Sequence, residues 1–204
     1  MLIKTLVVGP IETNCYVVTD EATLDCAVID PGDESNTILD YLEDNKLRCR
    51  AVMLTHAHFD HVGAVDAVLE ATGAKFYMCE RELETIRTRG AGGWAPPEGT
   101  AYYDDGDVVE AGSLRFEVIA TPGHTTGGVT LRCGDALFTG DTLFRGSCGR
   151  TDFPGGDMKV QLGSLKRLAA LEGDYEVYPG HAESSTLSAE RAHNPYMLHA
   201  LEKM

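Results

Sequence analysis

The sequence predicts an α/β (α+β) fold, and three observations support this prediction. Short segments rich in Val, Leu and Phe alternate along the whole chain with segments whose apolar residues recur at helical spacing. Of the 204 residues, 43% are hydrophobic and 24% are charged, which is typical of a globular protein rather than a disordered one. This length is sufficient for a sizeable hydrophobic core.

Nine segments are predicted to be β-strands, because each is short and is bounded by Gly, Asp or Pro. In chain order they are residues 3–8, 15–19, 26–30, 50–54, 75–78, 114–120, 129–133, 136–139 and 176–178. Five other segments have helical periodicity. They are residues 35–43, 62–71, 80–89, 157–171 and 188–203. Ser35 is the predicted N-cap of the first helix, and Gly73 is the predicted stop of the second.

The stretch from residue 90 to 99 is too rich in Gly and Pro for a regular element. Candidate functional residues lie on both sides of it, so it is predicted to be a loop within one domain that spans residues 1–204. The part at 92–99, with Trp94, is a candidate to line a pocket, and so are the neighbouring Tyr102 and Tyr103.

Charge and cysteine usage narrow the class of protein. The chain has 17 Lys and Arg against 32 Asp and Glu, a net charge of −15, which argues against nucleic acid or an anionic membrane as a partner. No apolar run approaches the roughly 20 residues of a membrane helix, and the first eight residues lack the organisation of a signal peptide. The six cysteines form no C-x-x-C pair. We therefore expect a cytoplasmic protein that acts on a small molecule, and its oligomeric state stays open.

The densest group of potential metal ligands is the segment T-H-A-H-F-D-H at residues 55–61. It follows a predicted apolar strand, where α/β folds place functional groups. His56 and His58 are two residues apart and in an extended turn reach one ion, whereas Asp60 and His61 point differently and suit a second ion. Three imidazoles and one carboxylate suit Zn²⁺, and also iron or manganese. A surface loop with incidental histidines is a poor alternative, because three of the seven histidines fall within six residues.

Three further residues have ligand-like surroundings. His124 lies in the turn T-P-G-H-T-T-G, Asp141 ends the run L-F-T-G-D, and His181 ends the run Y-P-G-H. Each by itself is explained as well or better by a hydrogen-bonded turn or a helix cap. Their joint occurrence at the ends of successive strands favours a shared site.

These motifs resemble the metallo-β-lactamase fold superfamily, and within it the small glyoxalase II-like (hydroxyacylglutathione hydrolase-like) hydrolases. The matching segments occur in the family's order: T-H-x-H-x-D-H at 55–61, T-P-G-H-T at 121–125, F-T-G-D-T-L-F at 138–144 and Y-P-G-H at 178–181. The resemblance implies a four-layer αββα sandwich with two metal ions, expected to be Zn²⁺ with Fe²⁺ or Mn²⁺ as alternatives, at one edge. Carried over residue by residue, it implies one ligand set for each ion and one shared ligand. These are His56, His58 and His124 for the first ion, Asp60, His61 and His181 for the second, and Asp141 for both.

The implied activity is hydrolysis of thioesters such as S-lactoylglutathione, with a metal-bridging hydroxide as the nucleophile. Two divalent ions lower the pKa of a shared water toward about 7 and polarise an acyl carbonyl, so no Ser or Cys nucleophile is required. Asp60 is assigned a catalytic role as well, because as a ligand it orients this nucleophile.

Two arginines are candidates to bind the substrate. Arg150 stands where the glyoxalase II pattern has a basic residue that contacts glutathione, and Arg145 is a second candidate for a substrate carboxylate. An Arg150 that braces its loop against Asp152 is an equal alternative. Two aromatic positions of the pattern are Asp152 and Glu183 here, so the match is incomplete. Only about twenty residues follow His181, too few for the helical domain with which full-length glyoxalase II enzymes hold glutathione.

Two other functions remain open at this point. The string R-G-S-C-G-R-T-D-F at 145–153 is similar to the R-G-C-G-R-T-D-F string of persulfide dioxygenases, which use one iron, with Ser147 inserted. A non-catalytic metal-binding module is the third possibility. The complete ligand set and an open position for water argue against it, because a structural zinc site is closed by four protein ligands. Cys148 is close to the site in sequence and is expected to be a buried thiol rather than a ligand.

Overall fold

The computed structural model describes residues 1–88 and 90–202, and its centre is a pair of six-stranded β-sheets. The first sheet has its strands in chain order: β1 (Leu2–Val8), β2 (Thr13–Thr19), β3 (Asp25–Ile29), β4 (Arg48–Met53), β5 (Lys75–Cys79) and β6 (Ala101–Tyr103). Strands β1 to β3 pair antiparallel, and β3 to β6 pair parallel. The parallel strands bring the loops that follow β3 and β4 to one edge of the sheet.

The second sheet is formed by the other half of the chain. Its strands are β7 (Val108–Ala111), β8 (Leu114–Ala120), β9 (Val129–Cys133), β10 (Ala136–Gly140), β11 (Glu176–Pro179) and β12 (Ser185–Thr186), in the spatial order β12-β11-β10-β9-β8-β7. Only β10 and β11 pair parallel, and their register shifts between Phe138 and Gly140. Gly140 has φ of +48°, and a Cβ on it would lie 2.2 Å from Thr55 Oγ1, so this position requires glycine.

Seven α-helices cover the outer faces of the sheets. They are α1 (Ser35–Asp44), α2 (Phe59–Val62), α3 (Val65–Thr72), α4 (Leu83–Arg87), α5 (Met158–Ala169), α6 (Leu187–His193) and α7 (Pro195–Glu202), within the described residues. Helices α1 and α3 pack on the first sheet, and α5, α6 and α7 pack on the second. A 3₁₀ turn, Glu80–Glu82, leads into α4.

Strand β2 shows why the layers form. All seven of its residues are buried, and they alternate between two hydrophobic clusters. Cys15 and Val17 pack under the helices, whereas Tyr16 and Val18 pack between the sheets. A strand that is apolar on both faces has to be covered on both sides. The resulting order of layers is helix, sheet, sheet, helix, which confirms the predicted αββα sandwich.

The elements differ from the sequence prediction mainly at their ends. All nine predicted strands are present within two residues of their predicted bounds, and the short strands β6, β7 and β12 were not predicted. The predicted N-cap Ser35 is wrong, because Glu34 holds that position with φ of +49°. The helix predicted over 62–71 is divided around Gly63, and the one over 188–203 is divided at Asn194, before Pro195. Residues 89 and 203, at the ends of two predicted helices, lie outside the described residues.

Two further expectations concern cysteines and membranes. All six cysteines are free thiols, five of them buried. Within residues 1–88 and 90–202, the helices are too short or too polar to cross a membrane.

Candidate metal centre

The predicted ligands lie on loops at one edge of the two sheets. The segment 55–61 follows β4, and His58, the N-cap of α2, has extended backbone with ψ of 154°. Asp60 and His61 lie in α2, and the ring of His61 packs against that of His56, with ring centroids 4.0 Å apart. The other ligands come from the second sheet: His124 follows β8, Asp141 follows β10 and His181 follows β11.

The first group of ligands consists of His56, His58 and His124. One ring nitrogen of each lies within 4.8 Å of the others. His58 Nδ1 and His124 Nε2 are only 2.8 Å apart. All three side chains are buried, and such a set of imidazoles is suited to a divalent transition metal.

The second group consists of Asp60, His61 and His181. Asp60 Oδ2 lies 3.4 Å from His61 Nε2 and 3.2 Å from His181 Nε2. The same oxygen accepts a hydrogen bond of 3.1 Å from Thr13 Oγ1, which holds the carboxylate in place. The structure therefore brings together the three residues that the sequence assigned to a second ion.

Asp141 lies between the two groups. Its Oδ2 is 3.3 Å from His124 Nε2 in the first group and 3.7 Å from His181 Nε2 in the second. Its Oδ1 is 3.6 Å from His61 Nε2. This position suits a ligand that serves both groups.

Unpaired buried atoms test whether these residues fit metal ions. His56 Nε2, His61 Nε2 and Asp141 Oδ1 are buried and have no hydrogen-bond partner among the described residues. Leaving such atoms unpaired costs roughly 1–3 kcal/mol each, and divalent ions between the groups would satisfy all three. The chemistry of the donors and the orphaned atoms both fit a metal centre.

The opposite ring nitrogens of the histidines have protein partners. His124 Nδ1 donates to the carbonyl oxygen of Arg150 over 2.6 Å, and His181 Nδ1 donates to that of Ile11 over 3.2 Å. His56 Nδ1 contacts Thr55 Oγ1 at 3.1 Å. Such outer hydrogen bonds orient each ring and leave its other nitrogen free for a metal.

Asp30 is a functional residue that the sequence reasoning missed. Its Oδ1 accepts from the backbone N–H of Thr55 over 2.7 Å, and its Oδ2 accepts from Thr55 Oγ1 over 2.6 Å and from His61 Nδ1 over 3.0 Å. Asp30 thus orients a ligand of the second group. The available signal was the turn Asp30-Pro31-Gly32 after β3. A Cβ on Gly32 would lie 1.8 Å from the carbonyl oxygen of Asp60, so this turn packs directly against the metal loop.

Glu82 is a second residue that the sequence reasoning missed. Its side chain is fully buried between the loop 55–61 and the turn that carries His124. It accepts hydrogen bonds from the N–H of Ala57 over 2.8 Å, from the N–H of Gly127 over 2.9 Å and from Thr125 Oγ1. One carboxylate therefore joins the two loops that carry the first group of ligands.

Without metal, burial and the neighbouring histidines disfavour protonation of His56 and His58. They lower the pKa of His56 and lower that of His58 to about 3, so these two imidazoles stay neutral. Burial also acts against protonation of His61, but the carboxylates led by Asp30 outweigh it and raise the pKa of His61 to about 9. For His181, burial is likewise outweighed, and the hydrogen bond to Asp60 raises its pKa.

A pocket of about 820 Å³ opens over both groups. Its lining includes ligands of each group, so a small molecule inside it reaches the metal centre. Apolar side chains, among them Phe59, Phe144 and Phe153, line much of the rest. Trp94 does not belong to this lining and packs edge-on against Phe76, with ring centroids 6.0 Å apart.

The two candidate substrate arginines both have partners. Arg150 lines the pocket, but its Nε and Nη2 each donate to the carboxylate of Asp152 over 2.7 Å. Arg145 is paired with Glu183. Arg150 thus contacts Asp152 within its own loop, and the contact of either arginine with a substrate carboxylate stays a prediction. Cys148 lies in the pocket wall, and burial raises the pKa of its thiol to about 11.

Comparison with known proteins agrees with this architecture. Residues 8–181 match the family model of the metallo-β-lactamase superfamily, so the chain belongs to that superfamily, as the motifs indicated. Hydroxyacylglutathione hydrolase GloC of Haemophilus influenzae is 30% identical, over 97% of this chain and 98% of its own length.

Three solved structures are similar as well. The B3 metallo-β-lactamase BLEG-1 has a TM-score of 0.85 with 32% identity, over 96% of this chain and 99% of its own. ETHE1 from Myxococcus xanthus has a TM-score of 0.84 with 30% identity, over 99% and 90%. TTHA1623, solved in a di-iron-bound form, has a TM-score of 0.83 with 37% identity, over 95% and 99%. Divalent metals are bound in this superfamily, and the chain has a matching cluster of His and Asp side chains.

Proposed function

We propose that this protein is a binuclear metal-dependent hydrolase of thioesters, with Zn²⁺ as the expected metal. The observation that carries the proposal is the set of unpaired buried atoms, His56 Nε2, His61 Nε2 and Asp141 Oδ1, at a pocket large enough for a small substrate. Three atoms from two adjoining ligand groups remain without partners, and this fits two ions better than one.

The ligand sets follow from the two groups. His56, His58 and His124 would hold one ion, and Asp60, His61 and His181 would hold the other, with Asp141 contributing to both. When bound, two divalent ions lower the pKa of a shared water and polarise an acyl carbonyl oxygen.

The chain's own residues prepare the site for this chemistry. Asp60, anchored by Thr13, presents its carboxylate at the edge of the pocket, where it orients the attacking water. Asp30 fixes the ring of His61. Apolar side chains beside the ligands reduce the access of bulk water to the reacting carbonyl.

The experiment measures metal content and thioester hydrolysis together. Protein purified without a metal-binding tag or added metal is analysed by mass spectrometry, and S-lactoylglutathione and other thioesters are assayed. We expect about two divalent ions per chain and hydrolysis that a chelator abolishes. His58→Ala should lose about one ion and most of the activity, whereas His193→Ala, an exposed histidine in α6, should lose neither. Full metal content and full activity in His58→Ala would refute the site.

A mononuclear iron persulfide dioxygenase is the second candidate, and the loop 145–153 favours it. In the structure the inserted Ser147 forms a bridge with Phe144 through two backbone hydrogen bonds of 3.1 Å, so the insertion is contained in a tight turn. Metal content and an activity assay also separate the two candidates. About one iron per chain, with oxygen consumed in the presence of a persulfide after reconstitution, would support the dioxygenase.

A further inference from the structure

Apart from the metal ligands, the pocket is lined mainly by apolar side chains. Three of them are exposed: Ile11 at 47%, Phe59 at 53% and Phe153 at 42%. Phe144 and Cys148 extend the same lining. Exposed apolar groups gathered at one cavity indicate a surface that contacts an apolar or uncharged part of a ligand.

The cations beside the pocket are already neutralised by this chain. Among the described lining residues, Arg150 is the one Lys or Arg side chain. Its guanidinium lies 4.0 Å from the ring centroid of Phe153 and donates two hydrogen bonds to Asp152. Arg145, in the same loop, is paired with Glu183.

A carboxylate on a substrate would have to displace one of these partners. At Arg150 the displacement exchanges one bidentate ion pair for another of the same kind, so the net attraction is small. The displaced Asp152 would remain in the same loop and repel the like charge. A thiol part without carboxylates avoids these costs and contacts the apolar lining directly.

We infer that the preferred substrate is a thioester whose thiol part carries no carboxylate, and that Asp152 and Glu183 select against carboxylate-bearing thiols such as glutathione. This inference rests on the proposed function, because it concerns the thiol part of the thioester. The chemical class is an uncharged alkyl thiol, of which N-acetylcysteamine is a simple representative.

The test compares two thioesters of the same acyl group on the metal-loaded protein. One has glutathione as its thiol and the other has N-acetylcysteamine. Both thiols are primary alkyl thiols, so the comparison reports recognition of the thiol part more than the chemistry of the leaving group. We expect a several-fold higher kcat/KM for the N-acetylcysteamine thioester, arising from a lower KM.

Two variants and a matched control assign the preference to the carboxylates. Asp152→Asn and Glu183→Gln should each lower KM for the glutathione thioester, by up to about fivefold, which is the range of an exposed ion pair. Asp104→Asn makes the same change in charge at an exposed pair with Arg81, with side-chain exposure of 67% against 68% for Asp152. This control should leave the ratio of the two KM values unchanged.

The outcomes distinguish the inference from the proposed function. A wild-type preference for the glutathione thioester would overturn the inference and leave the thioester hydrolase intact. Equal shifts in Asp152→Asn and Asp104→Asn would overturn the assignment to Asp152, because net charge alone would then explain them. Failure of the metal-loaded protein to hydrolyse either thioester would refute the proposed function and the inference with it.

Discussion

Replacing Glu82 by Gln tests whether one buried carboxylate holds the first metal group together. Glu82 accepts three hydrogen bonds, one from the loop of His56 and His58 and two from the turn after His124. A Gln side chain has the same shape but offers one acceptor atom and one donor atom. In either orientation of the amide, at least one buried N–H or O–H donor loses its acceptor.

The size of the effect follows from this geometry. An unsatisfied buried donor costs about 1–3 kcal/mol. Burial disfavours the charged carboxylate of Glu82 and so raises its pKa. Because Gln carries no charge, the substitution recovers part of that loss. We expect a net loss of about 1–2 kcal/mol in the free energy of unfolding, or a decrease of roughly 2–8 °C in Tm for a chain of this size. Because the loops also set the positions of three histidines, metal affinity at the first group should fall about tenfold or more.

The assay combines calorimetric unfolding of the metal-free protein with zinc titration against a competing chelator. Glu84→Gln is the matched control, because Glu84 is exposed on α4 and its carboxylate pairs, among the residues the structure describes, with Arg87 at 3.4 Å. The control should change neither Tm nor affinity appreciably. If Glu82→Gln matched the control in both measurements, the positioning role of Glu82 would be refuted. A lower Tm with unchanged affinity would limit its role to stability.

Three further predictions follow from the same region. Asp30→Asn removes the negative charge that holds a histidine of the second group in place. The metal affinity of the second group should therefore fall about 10- to 100-fold, while that of the first group changes little. Equal losses of metal affinity at both groups would contradict this prediction. Burial raises the pKa of Cys148 to about 11. Iodoacetamide should therefore alkylate this thiol about a hundredfold more slowly at pH 8 than a thiol of ordinary pKa, and the rate of alkylation should increase toward pH 11. Fast labelling at pH 8 would disprove the raised pKa. Gly180→Ala places a Cβ 2.2 Å from Asp141 Oδ1 and should reduce the metal content of the protein. In Gly163→Ala, in α5, the added Cβ meets no atom within 4 Å. This variant should stabilise the protein by up to about 1 kcal/mol in thermal unfolding.

The sequence predicts which side chains meet at the sheet edge because most of them lie in short turns after strands. A ligand such as His124 or His181 is fixed by a turn of a few residues after a strand, and strands of this length are recognisable from local composition. Strand β12 has two residues and β6 has three, so neither has enough residues to show a periodicity. Their pairing depends on neighbours that are distant in the chain.

The supporting residues are harder to predict, since their roles depend on contacts across the fold. Asp30 and Glu82 each contact the loop 55–61 from 25 residues away in sequence. Glu82 occurs in a stretch that looks like an ordinary polar helix start, and only its complete burial reveals its function. Arg150 shows that a short separation in sequence is not sufficient either. Its partner Asp152 is only two residues away, yet the sequence alone does not choose between Asp152 and a substrate as the group that Arg150 binds.

The distribution of ligands over the two sheets has a consequence for stability. Each metal group combines side chains that follow strands of the first sheet with one that follows a strand of the second: His56 and His58 with His124, and Asp60 and His61 with His181. Neither of these two groups is complete within one half of the chain, although Asp30, His56 and His61 of the first half also have ligand atoms within 4.8 Å of one another. The two groups therefore form only when the sheets are packed together. An ion that binds this folded arrangement and not the unfolded chain stabilises it, by about 2.7 kcal/mol at a free concentration one hundred times its Kd. Bound metal should therefore strengthen the contact between the sheets as well as serve the chemistry at their edge.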